Sequence, residues 1–246
     1  MTENRMQEIE DLLYLTRIYC SDEKIYQKRY NEFIYFYLLS KSHIIKTNNK
    51  NVMRVVYNEK LIRELISDVY TIKQRRTVVN GISKLDSLEI VSDLKTEIRI
   101  FKNGSSQYFL VPNYTIKYMC KTYTNKYTIK IFMFLGIKYK QFNENPNTSA
   151  KFNFSIQELA TNALGMKPTR NQDRLSKIKE ALEILQEDGY ISYEKIRVNI
   201  TSTNDKNVCA IEKFQLTKFD PFTREKRYFF MTKEEESAFL ACKKCE

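Results

Sequence analysis

The stretch TIKQRRTVVNGISKLDSLEIVS, residues 71–92, decides how this chain reads. Val78, Ile82 and Leu85 recur at the spacing of one helical face. On a helix turning about 100° per residue, Arg76, Asn80 and Lys84 then lie roughly opposite Val78. If the apolar three pack inward, those three face out. Lys73 and Arg75 stand at the head of the helix, with Thr77 beside them. A helix N-terminus offers backbone N–H groups that suit phosphate. Arginine reads guanine and asparagine reads adenine through paired hydrogen bonds, each worth about 1–3 kcal/mol of discrimination. A solvated basic face would carry the same residues, so the surroundings must choose.

Upstream, FIYFYLLSK (33–41) is apolar throughout and predicts a buried helix. VMRVVYN (52–58) is β-branched and predicts a short strand. NEKLIRELISDVY (58–70) predicts a helix capped by Asn58, with Leu61, Leu65 and Val69 on one side. The 71–92 helix follows. EIRIFKNGSSQYFLVP (97–112) then predicts two strands around an Asn103-Gly104 turn, with Lys102, Asn103 and Ser105 at the tip.

The second half repeats this order. TNKYTIKIFMFLGIKYK (124–140) predicts an apolar helix and KFNFS (151–155) a strand. SIQELATNALG (155–165) predicts a helix with a Ser155/Glu158 capping box and Gly165 as its stop. TRNQDRLSKIKEALEILQEDG (169–189) predicts a long helix with Ile178, Leu182 and Leu185 inward. YISYEKIRVNI and VCAIEKFQLTKF predict two strands. The head of the long helix offers Thr169, Arg170, Asn171, Gln172 and Arg174, with Lys177 one turn on; Asp173 and Glu180 share its outer face. Carboxylates repel phosphate, so contact with DNA and contact with a partner both stay open for this helix.

Helix, strand, helix, helix, hairpin, twice over, is an internal duplication. The expected fold class is α+β, mainly helical, with two tandem winged-helix domains, each a helix-turn-helix followed by a β-hairpin wing. The domains fall at 25–112 and 124–220, joined by a linker at 113–123. A helical arm precedes them (1–24), read as one helix over 3–20 that either pairs with another subunit or packs on its own chain. A helical tail follows (221–246), with a helix opened by Thr232.

Composition sets the class of partner. The 246 residues carry a formal charge of +11, which favours a polyanion, either nucleic acid or an acidic membrane surface. The longest apolar runs, 33–39 and 131–137, fall far short of the roughly 18 residues a membrane span needs, so no membrane is expected. Five scattered cysteines imply no disulfide framework, and the acidic start lacks a signal peptide's pattern. A cytoplasmic location is expected.

No two of the five glycines are spaced for a phosphate loop or dinucleotide turn. The single histidine, His43, cannot supply a metal pair, and no nucleophile elbow accompanies it. Asp93, Glu97 and Arg99 read as a solvated strand edge rather than nuclease carboxylates. Cys242 and Cys245 make half a zinc site that only a dimer would complete, and they are read as two ordinary thiols on a terminal helix. No catalytic residue, metal or cofactor is expected, and the chain is read as a non-enzyme.

Three segments, TYTNKYTIKIFMFL, FNFSIQELATNALGM and RLSKIKEALEIL within 122–185, carry a family pattern. With the duplicated order, they resemble the second unit of the tandem winged-helix replication initiators of plasmids. The resemblance covers about residues 25–220 by architecture; the first unit carries no quotable signature. It implies a protein that binds origin repeats with both units, aids melting of AT-rich DNA and recruits a host helicase or its loader. It also implies a homodimer that represses its own promoter. Carried onto this chain, the contacts fall on Arg75, Arg76, Asn80, Arg170, Asn171, Gln172 and Arg174, with wing contacts from Lys102, Asn103 and Ser105. Two other readings share the architecture: a transcriptional regulator or conjugation accessory protein that binds an operator, and a primosomal or helicase-loading adaptor that binds protein.

Overall fold

The computed structural model describes residues 2–19, 28–47, 50–94, 96–101, 107–144, 151–167, 171–201 and 208–243. The fold is α+β, with helices around three small antiparallel sheets. Helix α1 (Glu3–Leu13) leads into strand β1 (Leu15–Tyr19). Helix α2 (Glu32–Ser40) is followed by β2 (His43–Thr47), β3 (Lys50–Val56), α3 (Glu59–Asp68), α4 (Arg75–Ser87), β4 (Val91–Leu94) and β5 (Glu97–Phe101). Then come β6 (Tyr108–Pro112) and α5 (Asn113–Thr122). The second half runs α6 (Tyr127–Phe142), β7 (Asn153–Phe154), α7 (Ile156–Glu158, continued as a π-helical turn Leu159–Ala163), α8 (Gln172–Glu187), β8 (Ile191–Thr201) and β9 (Val208–Phe219). The tail holds α9 (Arg224–Arg227) and α10 (Lys233–Lys243).

The sheets repeat one arrangement. In the first half the strand order is β2-β3-β5-β4, and in the second β7-β9-β8. In each, the strand ahead of the helix pair lies beside the last strand of the hairpin that follows it. Local chemistry explains the helix starts. The Asn58 side chain accepts from the Leu61 N–H at 3.0 Å, and Asn171 accepts from the Arg174 N–H at 3.1 Å. Ser155 and Glu158 form the reciprocal capping box, at 3.1 and 2.6 Å. Gly165 and Gly189 take positive φ just past the helices they stop, a backbone state that costs glycine nothing.

Three expectations are corrected. The 97–112 hairpin does not form: β5 pairs with β4 through Val91↔Ile100 and Asp93↔Ile98, and with β3 on its other edge. Both edges of β5 are therefore taken, and β6 pairs instead with β1, from Leu15↔Pro112 to Tyr19↔Tyr108. The single helix over 3–20 is also wrong. It ends at Leu13, and 15–19 is a strand, because Thr16 and Ile18 bury on the pleat against β6. The stretch 113–123 is no open linker: α5 buries Tyr114, Thr115, Ile116, Met119 and Cys120. Strands β2 and β4 were not foreseen.

One hydrophobic cluster runs through both halves. Helices α2 and α6 are buried on every side along most of their length, as their apolar sequences require. They meet at Phe36 and Phe132, ring centroids 6.1 Å apart. The Phe132 ring also touches Phe109, Tyr190 and Phe219, so four aromatic rings from both halves converge on one side chain. A smaller cluster of Ile9, Leu12, Tyr114, Met231 and Phe239 seats α1 and α10 on α5. The arm thus packs on its own chain. Arg5 donates to Glu235 at 2.8 and 3.0 Å and to the Phe230 carbonyl at 2.8 Å. No helix among the described residues is long and apolar enough to cross a membrane.

Candidate nucleic-acid interface

Helix α4 is seated by its apolar side. Val78, Ile82 and Leu85 are each fully buried. Gly81 lets the helix come up against α2, where a Cβ would collide with the Ile34 side chain. The opposite side is open: Lys73, Arg75, Arg76, Thr77, Asn80 and Lys84 are all exposed. Ser83 and Ser87, which sequence reading passed over, are exposed too and complete the stripe at the i+7 and i+11 positions from Arg76. Asp86, the helix's one carboxylate, lies about a third of a turn away. The outer stripe of α4 therefore combines cations, an amide and hydroxyls without a carboxylate.

The head of this helix is partly engaged. Arg75 donates to Glu59 on α3 at 2.6 Å, both side chains being well exposed. Hydrogen bonding to Glu59 comes first among the causes that raise the Arg75 guanidinium further, and Arg75 in turn lowers the Glu59 carboxyl. The Lys73 ammonium rests 4.6 Å over the ring of Tyr70, which is exposed in the turn between α3 and α4. Arg76, Asn80 and Lys84 have no ion pair within the described residues. Beside the helix, Arg54 and Arg99 face each other across β3 and β5. Like charges directly opposite repel, and Glu97 relieves them by bridging Arg99 at 2.7 Å and Arg54 at 3.7 Å. Glu97 is thus the partner of two arginines. Lys102, Asn103 and Ser105 lie outside the described residues, as do Thr169 and Arg170.

Helix α8 differs. Ile178, Ala181, Leu182 and Leu185 are buried, and the outward stripe centres on Ser176. Asp173, Glu180, Glu183 and Glu187 all fall on it and are exposed. The sequence expectation named only the first two; Glu183 and Glu187 follow Glu180 at i+3 and i+7, the periodic signal that marks them as members of the same stripe. Gln172, Lys177 and Lys179 edge this acidic stripe. Asn171 is not a free reader, since its carbonyl oxygen caps the helix. Arg174 points away from the carboxylates, into a cavity bordered by α2 and α6. The two long helices that occupy equivalent places in the repeat thus carry opposite chemistry on their outer sides.

Among the described residues, no group of three or more His, Cys, Asp or Glu side chains is placed to hold a metal ion. Cys120 is buried, where desolvation pushes its thiol well above the usual range, and Cys242 is exposed. The chain matches no protein-family model, no curated protein and no solved structure.

Proposed function

We propose that the protein is a sequence-specific double-stranded DNA-binding protein built from two winged-helix units, acting by binding rather than catalysis. The observation that carries the proposal is the outer stripe of α4: Arg76, Asn80, Ser83 and Lys84 exposed, free of carboxylates, on the second helix of a helix pair flanked by an antiparallel hairpin. That is the shape and chemistry that enters a major groove, and the +11 charge favours the encounter. The role that best joins this to the duplicated architecture is a plasmid or mobile-element replication initiator that binds origin repeats in the cytoplasm. A transcriptional regulator with the same units is the alternative.

The acidic stripe of α8 supports a second element of the reading. A helix with four outward carboxylates is repelled by phosphate and suits a basic protein surface. The second unit then serves partner contact, with a host helicase or its loader as the partner an initiator needs.

Footprinting on the DNA flanking the gene tests the proposal. Protection of direct repeats beside an AT-rich stretch is expected, whereas an inverted repeat at a promoter would select the regulator. Arg76→Ala with Asn80→Ala should lower specific affinity by about 5- to 150-fold per lost base contact, with little change for random duplex. An unchanged ratio of specific to random binding would remove α4 as the reader.

A further inference from the structure

Between the two halves lies a cavity of about 400 Å³ lined by Arg29, Lys126, Lys130 and Arg174, with Glu32 as its one carboxylate among the described residues. Glu32 is already committed. The Lys130 ammonium pairs with it at 3.1 Å, donates to the Lys28 carbonyl at 2.7 Å and lies 4.7 Å from the Tyr30 ring. Lys130 is only 4% exposed, an unusual place for a cation in an otherwise apolar helix. Burial draws its ammonium below the usual range, Glu32 opposes this, and neighbouring Lys126 adds to it. The other three cations, Arg29, Lys126 and Arg174, have no carboxylate partner among the described residues. Three like charges around one hollow repel each other, and an anion seated among them removes that repulsion.

Its position gives the cavity a use. Arg29 precedes α2, whose cap residue Asn31 lies beside Gly81 in the middle of α4. Arg174 belongs to the first turn of α8, and Lys126 heads α6. The hollow therefore borders α2, α6 and the head of α8, with α4 reached only through the Asn31 cap, and it is the place where Arg174 escapes the acidic stripe. The geometry points to a phosphate-binding site between the two units, held by Arg29, Lys126 and Arg174 over the buried Lys130–Glu32 pair. The phosphate belongs either to the backbone of a bound duplex or to a free polyphosphate. The duplex source rests on the DNA-binding reading; the free source does not.

Arg29→Ala with Lys126→Ala tests the site, since both side chains are exposed and their loss leaves the core intact. Binding of a random-sequence 30-base-pair duplex is measured across a series of NaCl concentrations, and pyrophosphate is titrated calorimetrically into the DNA-free full chain. For a backbone site, the slope of log K against log salt becomes shallower by about 0.9 per lost contact, equally for all sequences. For a free-polyphosphate site, the full chain binds pyrophosphate, the variant loses at least about tenfold in affinity, and the duplex slope stays put. Arg174→Ala should reproduce whichever loss is seen. If neither duplex slope nor pyrophosphate affinity changes, the site does not exist. A chain that binds pyrophosphate through these residues but no duplex would keep the site and end the DNA reading.

Discussion

Asn113 shows how much a single polar side chain can hold in place. It is buried, accepts from the Thr16 hydroxyl at 2.7 Å and donates to the Ser40 carbonyl at 2.8 Å, while its N–H bonds the Tyr14 carbonyl. Three segments far apart in sequence meet at one amide. Asn113→Ala would strand the Thr16 hydroxyl and the Ser40 carbonyl in the core, at about 1–3 kcal/mol for each group left unsatisfied. Equilibrium urea unfolding should show a loss of that order, and a change below about 0.5 kcal/mol would mean water or a neighbour takes over. The same scale governs the reading helix. Arg75 and Arg76 are adjacent in sequence, yet Arg75 is tied to Glu59 while Arg76 has no ion pair among the described residues. The sequence makes them look equivalent; only the partner on α3 separates them.

At the scale of elements, the caps were legible because capping is chemistry between residues three apart. The Ser155–Glu158 box also engages Lys213 of β9 at 2.7 Å, so it pins a helix start to the sheet. Burial pushes the Glu158 carboxyl up, but Lys213 and the Ser155 groups outweigh it and hold it below the usual range. Ser155→Ala should cost about 1 kcal/mol in thermal or chemical unfolding, within the span measured for N-cap losses. The docking of α10 on α1 is expected to have an acid limit. Hydrogen bonding from Arg5, then from the Thr232 N–H, holds the Glu235 carboxyl at about 2. A carboxyl lowered on folding lends its stabilisation above the unfolded value near 4.3, and loses it as pH falls through the folded value. The α1–α10 contact should thus persist at pH 5 and weaken between about pH 4 and 2. An NMR titration of the Glu235 side chain reads the midpoint directly, and Arg5→Ala should move it up toward the ordinary glutamate range.

For the whole molecule, the decisive feature is that the repeated halves share a core. Phe132 of α6 touches Phe36 of the first half and Phe219 and Tyr190 of the second. Phe132→Ala should cost about 3–5 kcal/mol and lower a single, joint unfolding transition. Two separate transitions in calorimetry, only one of them shifted, would show the halves to be independent. A shared core also fixes the spacing between α4 and α8, whose outer sides carry opposite charge, and leaves the basic hollow among α2, α6 and the head of α8.

The amino-acid sequence alone determined most of the helices and strands and the doubling of their order, because hydrophobic period and capping are local and survive without a partner; α5, read as a linker, was a helix it missed. It determined as well that Val78, Ile82 and Leu85 turn inward, leaving Arg76, Asn80 and Lys84 outside. Tertiary structure decided which strands pair. A strand offers two edges with identical backbone groups, so nothing within 97–112 announces that β5 fills both edges locally while β6 finds β1 nearly a hundred residues away. It also decided that Arg29, Lys126 and Arg174 share one cavity, since juxtaposing them requires α2, α6 and α8 to pack, and packing is a property of the assembled core.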